Sequence, residues 1–245
     1  GLTEWNSQAP AFMQPPDGGK EGNEFDWLAY TLGQYYTLLN AGFQLVPTAG
    51  TASGVHPVPA GFSRVYVSLD GPFSYDKWLE GLAAGRSFVT TGPMLFAEVN
   101  EQPAGATITA DHAKVSANFL SEHPLATIEV VVNGKVVQSL RPQNELTPAS
   151  VFQSQVAADV SIETSGWVCI RCTEDRPDKR LRFAHTAPWW LDIPGKPLRP
   201  SQQEKDYLVQ RVQLEIERST GILPDSALAE YEAALRHFES LPVAD

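Results

Sequence analysis

The sequence predicts an α/β segment followed by an all-β sandwich and a C-terminal helical hairpin. Three observations predict this fold class. Before Gly92 the chain alternates helical and strand patterns, from Gly92 to Ile193 short alternating apolar and polar runs stand between turn signals, and from Pro200 apolar residues recur at helical spacing. Short alternating strands separated by turns are typical of an antiparallel sandwich.

These changes of pattern divide the chain into four segments. They are an irregular N-terminal segment (1–22), an α/β segment (23–91), a β-sandwich (92–198) and a helical hairpin (199–245). The α/β segment contains too few units to close a barrel or a doubly wound sheet by itself.

The α/β segment contains two predicted helices and three predicted strands. The first helix begins after the cap Asn23 and ends at Gly42, and the second begins after the cap Ser74 and ends at Gly85. The apolar face of the first helix contains Phe25, Leu28, Leu32, Tyr35 and Leu39. The predicted strands are FQLV (43–46), RVYVSL (64–69) and SFVTTG (87–92).

Two local signals mark the sandwich segment. In VVVNGKVVQ, Asn133 and Gly134 tolerate the positive φ angles of a two-residue hairpin turn. Cys169 and Cys172 have the CxxC spacing of a redox or zinc site, but they lie in a strand pattern, where positions three apart point to opposite faces. Because no second ligand pair accompanies them, the sequence predicts two free thiols.

The C-terminal hairpin is predicted from a cap and two apolar stripes. SQQE, beginning at Ser201, is a capping box, and Gly221 ends the first of the two helices. The stripes contain Leu208, Val212 and Ile216 in the first helix and Leu228, Tyr231, Leu235 and Phe238 in the second.

Composition and charge exclude several classes of partner. The chain has 245 residues and a formal net charge of −11, from 29 acidic and 18 basic residues. This charge opposes nucleic acid and an anionic membrane surface, and no window approaches the roughly 20 apolar residues of a membrane span. The first residues, GLTEWNSQAP, contain no methionine and no secretory signal, which is compatible with a processed end, an expression remnant or a fragment boundary.

Three ordered strings of residues carry a family resemblance. They are YYTLLNAGFQLVPTAGTASGVHPVPAGFSRVYV, FSYDKWLEGLAAGRSFVTTGPMLFAEVN and FAHTAPWWLDIPGKP, which lie within residues 24–198. They resemble the carboxy-terminal portion of CehA/McbA-type proteins, a branch of the PHP (polymerase and histidinol phosphatase) metal-dependent hydrolases. The resemblance implies an α/β remnant of a PHP-type barrel followed by an all-β immunoglobulin-like sandwich and a C-terminal helical hairpin.

The same resemblance implies the chemistry of a parent protein. In the family, divalent metals such as Zn or Mn activate a water that attacks a phosphoester, a carbamate or an ester. The partners it implies are the missing N-terminal part of the same protein and a small-molecule substrate. The early His-x-His element of the family has no counterpart in this chain, and Ala52 stands where the late element has an Asp. We therefore expect this chain alone to be inactive and to hold no tightly bound metal.

The sequence nominates three site residues and no catalytic residue. His56, in the loop PTAGTASGVHPVP, is either a metal ligand or a loop imidazole bonded to backbone. Arg64 follows this loop and either holds an anionic substrate or forms a salt bridge at a strand start. His185 either orients a substrate or packs among the aromatic residues of FAHTAPWW.

The sequence leaves a second function open. In this alternative the sandwich is a non-catalytic binding module for a glycan or a partner protein, and Trp189 and Trp190 form its recognition surface. An exposed, flat pair of tryptophans favours binding, whereas burial of the pair favours packing between domains. The fold class alone does not decide between the two functions.

Overall fold

The structure is a computed structural model that describes residues 10–13, 24–51, 54 and 58–244. The chain forms two compact units. One unit, the helical unit, consists of the described residues of Gly1–Gln44 and Leu198–Asp245, and the other, the sheet unit, consists of those of Leu45–Pro197. The described residues are mostly β-sheet, in two sheets, with four α-helices, two of them near the C-terminal end.

The four helices begin and end close to the positions that the caps predict. They are α1 (Glu24–Asn40), α2 (Tyr75–Ala83), α3 (Gln202–Ser219) and α4 (Asp225–Ser240). The Ser74 hydroxyl accepts a hydrogen bond from the backbone N–H of Lys77 at the start of α2, and Ser201 forms a reciprocal capping box with Glu204 at the start of α3. None of the described helices has the length and apolar character that a membrane crossing requires.

The helical unit has its own small core. Its buried residues are Met13, Tyr30, Tyr207, Leu208 and Phe238, from the short 3₁₀ segment Ala11–Met13 and from α1, α3 and α4. Within this core Gln34 Nε2 donates hydrogen bonds to both tyrosine hydroxyls, at 3.0 Å to Tyr30 and 2.8 Å to Tyr207. Burial and the neighbouring Tyr207 hydroxyl raise the pKa of Tyr30 to about 12.

The face that α1 buries differs from its predicted face. Leu39 is fully buried, as predicted, but Phe25 is 46% exposed, and Tyr30 and Tyr36 are buried although they were not assigned to the apolar face. The interior of this unit accepts Tyr30, whose hydroxyl is hydrogen-bonded to Gln34 and Tyr207, so the spacing of apolar residues alone misplaces the face.

The sheet unit contains twelve strands. They are β1 (Arg64–Val67), β2 (Ser87–Thr90), β3 (Met94–Val99), β4 (Thr107–Thr109), β5 (His112–Ser121), β6 (Leu125–Val132), β7 (Lys135–Leu140), β8 (Glu145–Leu146), β9 (Phe152–Ser161), β10 (Gly166–Glu174), β11 (Phe183–Thr186) and β12 (Trp189–Asp192). The alternating runs of the sequence therefore form strands, as predicted.

The twelve strands form two sheets. The eight-stranded sheet has the order β1-β2-β11-β10-β12-β4, with β6 paired to β10 and β7 paired to β6. The four-stranded sheet has the order β3-β5-β9-β8. All pairs are antiparallel except β12 with β4. Strands β1 and β2 pair with each other and, through β2, with β11, so they belong to the same sheet as strands that follow Gly92.

One apolar core contains residues of both sheets. Leu95, Val115 and Phe119 come from the four-stranded sheet, and Ile128 and Ile170 come from the eight-stranded sheet. Each is at most 3% exposed. Burial of this side-chain area away from water is the main contribution that holds the two sheets together.

The prediction of a strand at Phe43–Val46 is wrong. These residues form no strand, and the boundary between the two units follows Gln44. The ring of Phe43 packs instead against His237 and Phe238 of α4, with ring centroids 6.3 Å and 6.1 Å apart. An apolar run of four residues is compatible with a connection that packs on a helix, so length alone does not identify a strand.

Candidate functional site

An open groove of about 800 Å³ lies in the sheet unit and is lined by both sheets. Residues of β1, β2, β3, β5, β9 and β11 line it, together with the short segments around Arg86 and Pro103. We call it the intersheet groove. Its volume lies within the range of about 300–1,000 Å³ that small-molecule sites have.

One wall of the intersheet groove is aromatic. The rings of Tyr66 and Phe88 are stacked, with centroids 5.3 Å apart and planes at 15°, and Phe96 meets Phe88 edge to face at 6.3 Å. Phe88 is buried and anchors the cluster, whereas Tyr66 is 37% and Phe96 is 49% exposed. Two rings are therefore fixed in position while part of their surface stays open to a ligand.

Polar side chains face the groove from the four-stranded sheet. Phe96, Asn118 and Gln155 stand directly opposite one another on β3, β5 and β9, so their side chains lie on the same face. Glu98 and Ser116 form the next such pair along the same strands. All of these residues line the groove, so amide, hydroxyl and carboxylate groups lie beside the aromatic wall.

Arg86 and Ser87 line the groove from the eight-stranded sheet. Arg86 Nη1 lies 3.5 Å from Asp70 Oδ2, and its Nε has no hydrogen-bond partner among the described residues. The Ser87 hydroxyl is buried and likewise has no partner in the described part of the chain. Ser87 pairs with Val67, and Phe88 pairs with Tyr66, so the Ser87 side chain lies on the opposite face of β2 from the aromatic wall. The guanidinium of Arg86 is therefore the donor group that this side of the groove offers to a ligand.

A second group of chemically active side chains is buried in the eight-stranded sheet. Cys169 Sγ on β10 lies 3.3 Å from His185 Nε2 on β11, and His185 Nδ1 lies 2.6 Å from the carbonyl oxygen of Thr186. A carbonyl oxygen only accepts, so Nδ1 carries the proton and Nε2 accepts from the thiol. The fold thus fixes a neutral imidazole with a thiol donor.

Burial keeps this imidazole uncharged. His185 is 1% exposed, and burial, with a smaller contribution from the positive charge of Arg171, lowers its pKa to about 4. Arg171 itself forms an ion pair with Glu129, with Nε and Oε2 2.6 Å apart. Cys169 is also fully buried. Since neither group of the pair reaches solvent, the arrangement packs the sheet and presents no nucleophile to a substrate.

The two cysteines form no disulfide, as predicted. Cys172 lies in the core shared by the two sheets, whereas Cys169 contacts His185. Burial raises the pKa of the Cys172 thiol well above its usual range. The Cys172 thiol is therefore uncharged at neutral pH, when it is unreactive.

The three residues nominated from the sequence are not brought together. His56 lies outside the described residues. Arg64 begins β1, and its guanidinium carbon lies 5.9 Å from the centre of the Tyr66 ring, so Arg64 supports the aromatic wall of the groove by a cation–π contact. His185 packs against Cys169 inside the sheet.

The hypothesis that Trp189 and Trp190 form an exposed recognition surface is wrong. Trp189 is fully buried, and its Nε1 donates a hydrogen bond to the carbonyl oxygen of Gln102 at 2.8 Å. Trp190 is only partly exposed. The two rings alternate across β12, so only one of them can face away from the core. A recognition surface made of both rings is therefore absent.

The described residues offer no ligand set for a metal. Among them no group of three His, Cys, Asp or Glu side chains could hold an ion. A catalytic zinc site needs three protein ligands and an open position. We therefore assign no metal-dependent step to the described part of the chain.

Sequence reasoning missed the residues of the intersheet groove. They come from strands far apart in the chain, and each looks like an ordinary strand residue by itself. The signal that was present is the exposed-face position of Phe96, next to Glu98 in an alternating strand. An aromatic residue on a polar strand face is a weak indication of a binding surface.

No protein-family model matches the chain. No curated protein matches it either.

Proposed function

We propose that the sheet unit is a non-catalytic binding module that holds a glycan in the intersheet groove. The observation that supports this proposal is the combination of two partly exposed rings, Tyr66 and Phe96, with amide and hydroxyl groups in one concave site. Ligand sites in proteins characteristically combine apolar walls with a few placed polar groups.

The chemistry of the groove fits a sugar. A sugar ring has a face of C–H groups, which an aromatic ring covers, and a rim of hydroxyl groups, which need both donors and acceptors. Gln155 offers a carbonyl acceptor and an amide donor, Asn118 offers an amide donor while its Oδ1 accepts from Gln153 Nε2 at 2.8 Å, and Ser116 offers a hydroxyl. Of the described residues that line the groove, only Arg86 and Glu98 are charged.

A glycan fits the groove better than a folded partner protein does. A stable protein interface buries about 800 Å² on each partner and is centred on packed anchors. The intersheet groove is concave, and its lining combines apolar side chains with a few polar groups on β3, β5 and β9. This shape favours a narrow ligand with hydroxyl groups along its length.

We also propose that the two sheets form an immunoglobulin-like sandwich. Their shared apolar core and their almost entirely antiparallel pairing support this architecture. In such a sandwich the groove lies at the side where β2 of one sheet continues into β3 of the other.

A second proposal concerns the parent protein. We propose that the chain is the carboxy-terminal part of a CehA/McbA-like PHP protein whose metal site lies in another part of it, on an α/β remnant of the PHP-type barrel. The support is the ordered strings of the sequence, and these strings contain Tyr66, Arg86 and Phe96 of the groove. The glycan would then be a substrate or an attachment point for a hydrolase.

Elemental analysis tests the metal part of this second proposal. We expect the purified chain to contain no stoichiometric Zn or Mn, before or after chelation, and His56→Ala to be indistinguishable from it. A stoichiometric metal that the variant loses would show that the loop of His56 forms a metal site in this chain and that its ligands do not all lie elsewhere.

A polysaccharide panel tests the binding proposal. We expect the whole chain to bind at least one member of an immobilised panel of neutral and carboxylated polysaccharides. Phe96→Ala should weaken that binding roughly tenfold because a partly exposed ring no longer covers the sugar. Leu146→Ala is the matched control, since Leu146 is 65% exposed on β8 of the same sheet but does not line the groove.

Two outcomes would contradict the binding proposal. One is the absence of binding to every polysaccharide of the panel by a folded chain. The other is equal weakening by Phe96→Ala and Leu146→Ala, which would place the glycan away from the groove.

A further inference from the structure

We infer that the glycan of the intersheet groove is acidic and that Arg86 binds its carboxylate. This inference rests on the proposed glycan-binding function and specifies the class of sugar. It follows from the cation in the described lining of the groove and from the weakness of the ion pair that this cation makes within the chain.

Arg86 is the cation of the site. It is the only Lys or Arg residue that lines the groove, and one third of its side chain is exposed. Its guanidinium can offer two parallel N–H donors to one carboxylate, which is the strong, bidentate form of this contact. The Nε donor, which has no partner among the described residues, is one of the groups suited to that geometry.

The ion pair that Arg86 makes within the chain is weak. Its partner is the carboxylate of Asp70, which is 97% exposed and lies 3.5 Å away. Exposed pairs of this kind typically contribute about 0–1 kcal/mol because water and side-chain entropy compete with them. A ligand carboxylate can therefore replace Asp70 at little cost.

Glu98 sets the orientation of the ligand. It is the other charged residue of the groove and lies on β3, in the opposite sheet from Arg86. A carboxylated sugar is repelled there and attracted at Arg86, so the acidic group is directed to one side of the groove. The net charge of −11 on the chain acts weakly at this contact, because charges beyond about 8 Å are screened at physiological ionic strength.

Carboxyl reduction provides the test. The panel contains polygalacturonate, alginate, hyaluronan and glucuronoxylan, each in its native form and after carboxyl reduction, which converts the uronic acids to neutral sugars and keeps every linkage. We expect the whole chain to bind at least one native polysaccharide about tenfold or more tightly than its reduced form. We expect Arg86→Gln to abolish this preference.

Asp70→Asn is the matched control for Arg86→Gln. It removes the same ion pair but leaves the guanidinium in the groove, so the preference for the native polysaccharide should remain or increase.

The outcomes separate this inference from the proposed function. Equal binding of native and reduced polysaccharides, or a preference that survives in Arg86→Gln, would overturn the acidic class and leave glycan binding intact. Binding to neither form of any polysaccharide would overturn both.

Discussion

At the scale of single residues, burial determines the chemistry of the two cysteines and of His185. Cys169 and His185 contact each other but neither reaches solvent. Alternation along β10 predicted that the two cysteines point to opposite sides. The contact between Cys169 and His185 was not predictable, because they lie on neighbouring strands 16 residues apart and the register between strands depends on turn geometry that single residues do not reveal.

The stability of the protein should fall as the pH is lowered from about 6.5 towards 4. The ordinary pKa of histidine is 6.5, and burial lowers that of His185 to about 4 in the folded chain. Between these values the unfolded chain binds a proton that the folded chain does not, so unfolding is favoured. Between pH 7.5 and 4.5 the loss should be roughly 2–3 kcal/mol, measured by urea unfolding.

His185→Leu isolates this contribution to the pH dependence. The variant lacks the imidazole and keeps all other titrating groups, among them Asp178, whose pKa Arg176 lowers to about 2. The free energy of unfolding should therefore depend less on pH in the variant than in the wild type. If the free energy of unfolding depended on pH equally in the variant and the wild type, His185 would not titrate as an isolated buried imidazole.

Both thiols should be protected in the folded protein and free in the unfolded protein. Cys169 and Cys172 are fully buried and form no disulfide, so a thiol reagent should react slowly with the native chain and count two thiols after unfolding without reductant. A count of none would indicate a disulfide, which their positions on opposite sides of β10 do not permit. A thiol that reacts rapidly in the native chain would contradict the burial of Cys169 and Cys172.

At the scale of elements, turns and caps were predictable, whereas sheet membership was not. Asn133 and Gly134 have φ angles of 48° and 84°, as the NG signal predicts, because only a few residue types tolerate that geometry. The predicted strand at Phe43–Val46 is wrong, because its apolar residues pack without a neighbouring strand. Whether a residue tolerates a given backbone angle depends on its own side chain and is therefore predictable from the sequence. The partner of a strand depends on residues far away along the chain.

Gly134→Val should lower the melting temperature by several degrees. Valine at a φ of 84° costs about 1–2 kcal/mol, and each kcal/mol shifts the melting temperature by about 2–4 °C in a domain of this size. Lys135→Val is the matched control, since it places the same side chain on the adjoining exposed strand position without backbone strain. Calorimetry that finds the two variants equally stable would contradict the turn geometry.

At the scale of the whole molecule, the described residues form a helical unit and a sheet unit, and the groove belongs to the sheet unit. The β-rich character and the two C-terminal helices follow from periodicity in the sequence. The groove does not, because its lining runs from Tyr66 to Thr186 and comes from six strands. A site assembled from distant strands becomes visible only when their order and register are known.

The most direct test of the glycan site is an NMR titration that locates the bound ligand. The ¹⁵N-labelled chain would be titrated with the panel polysaccharide that binds best, cut to a hexamer. We expect the largest backbone shifts at Tyr66, Ser87, Phe96 and Asn118, which line the intersheet groove, and none at Leu146 or in α4. Shifts confined to the helical unit or to the surface around Trp190, with the groove unchanged, would contradict the account.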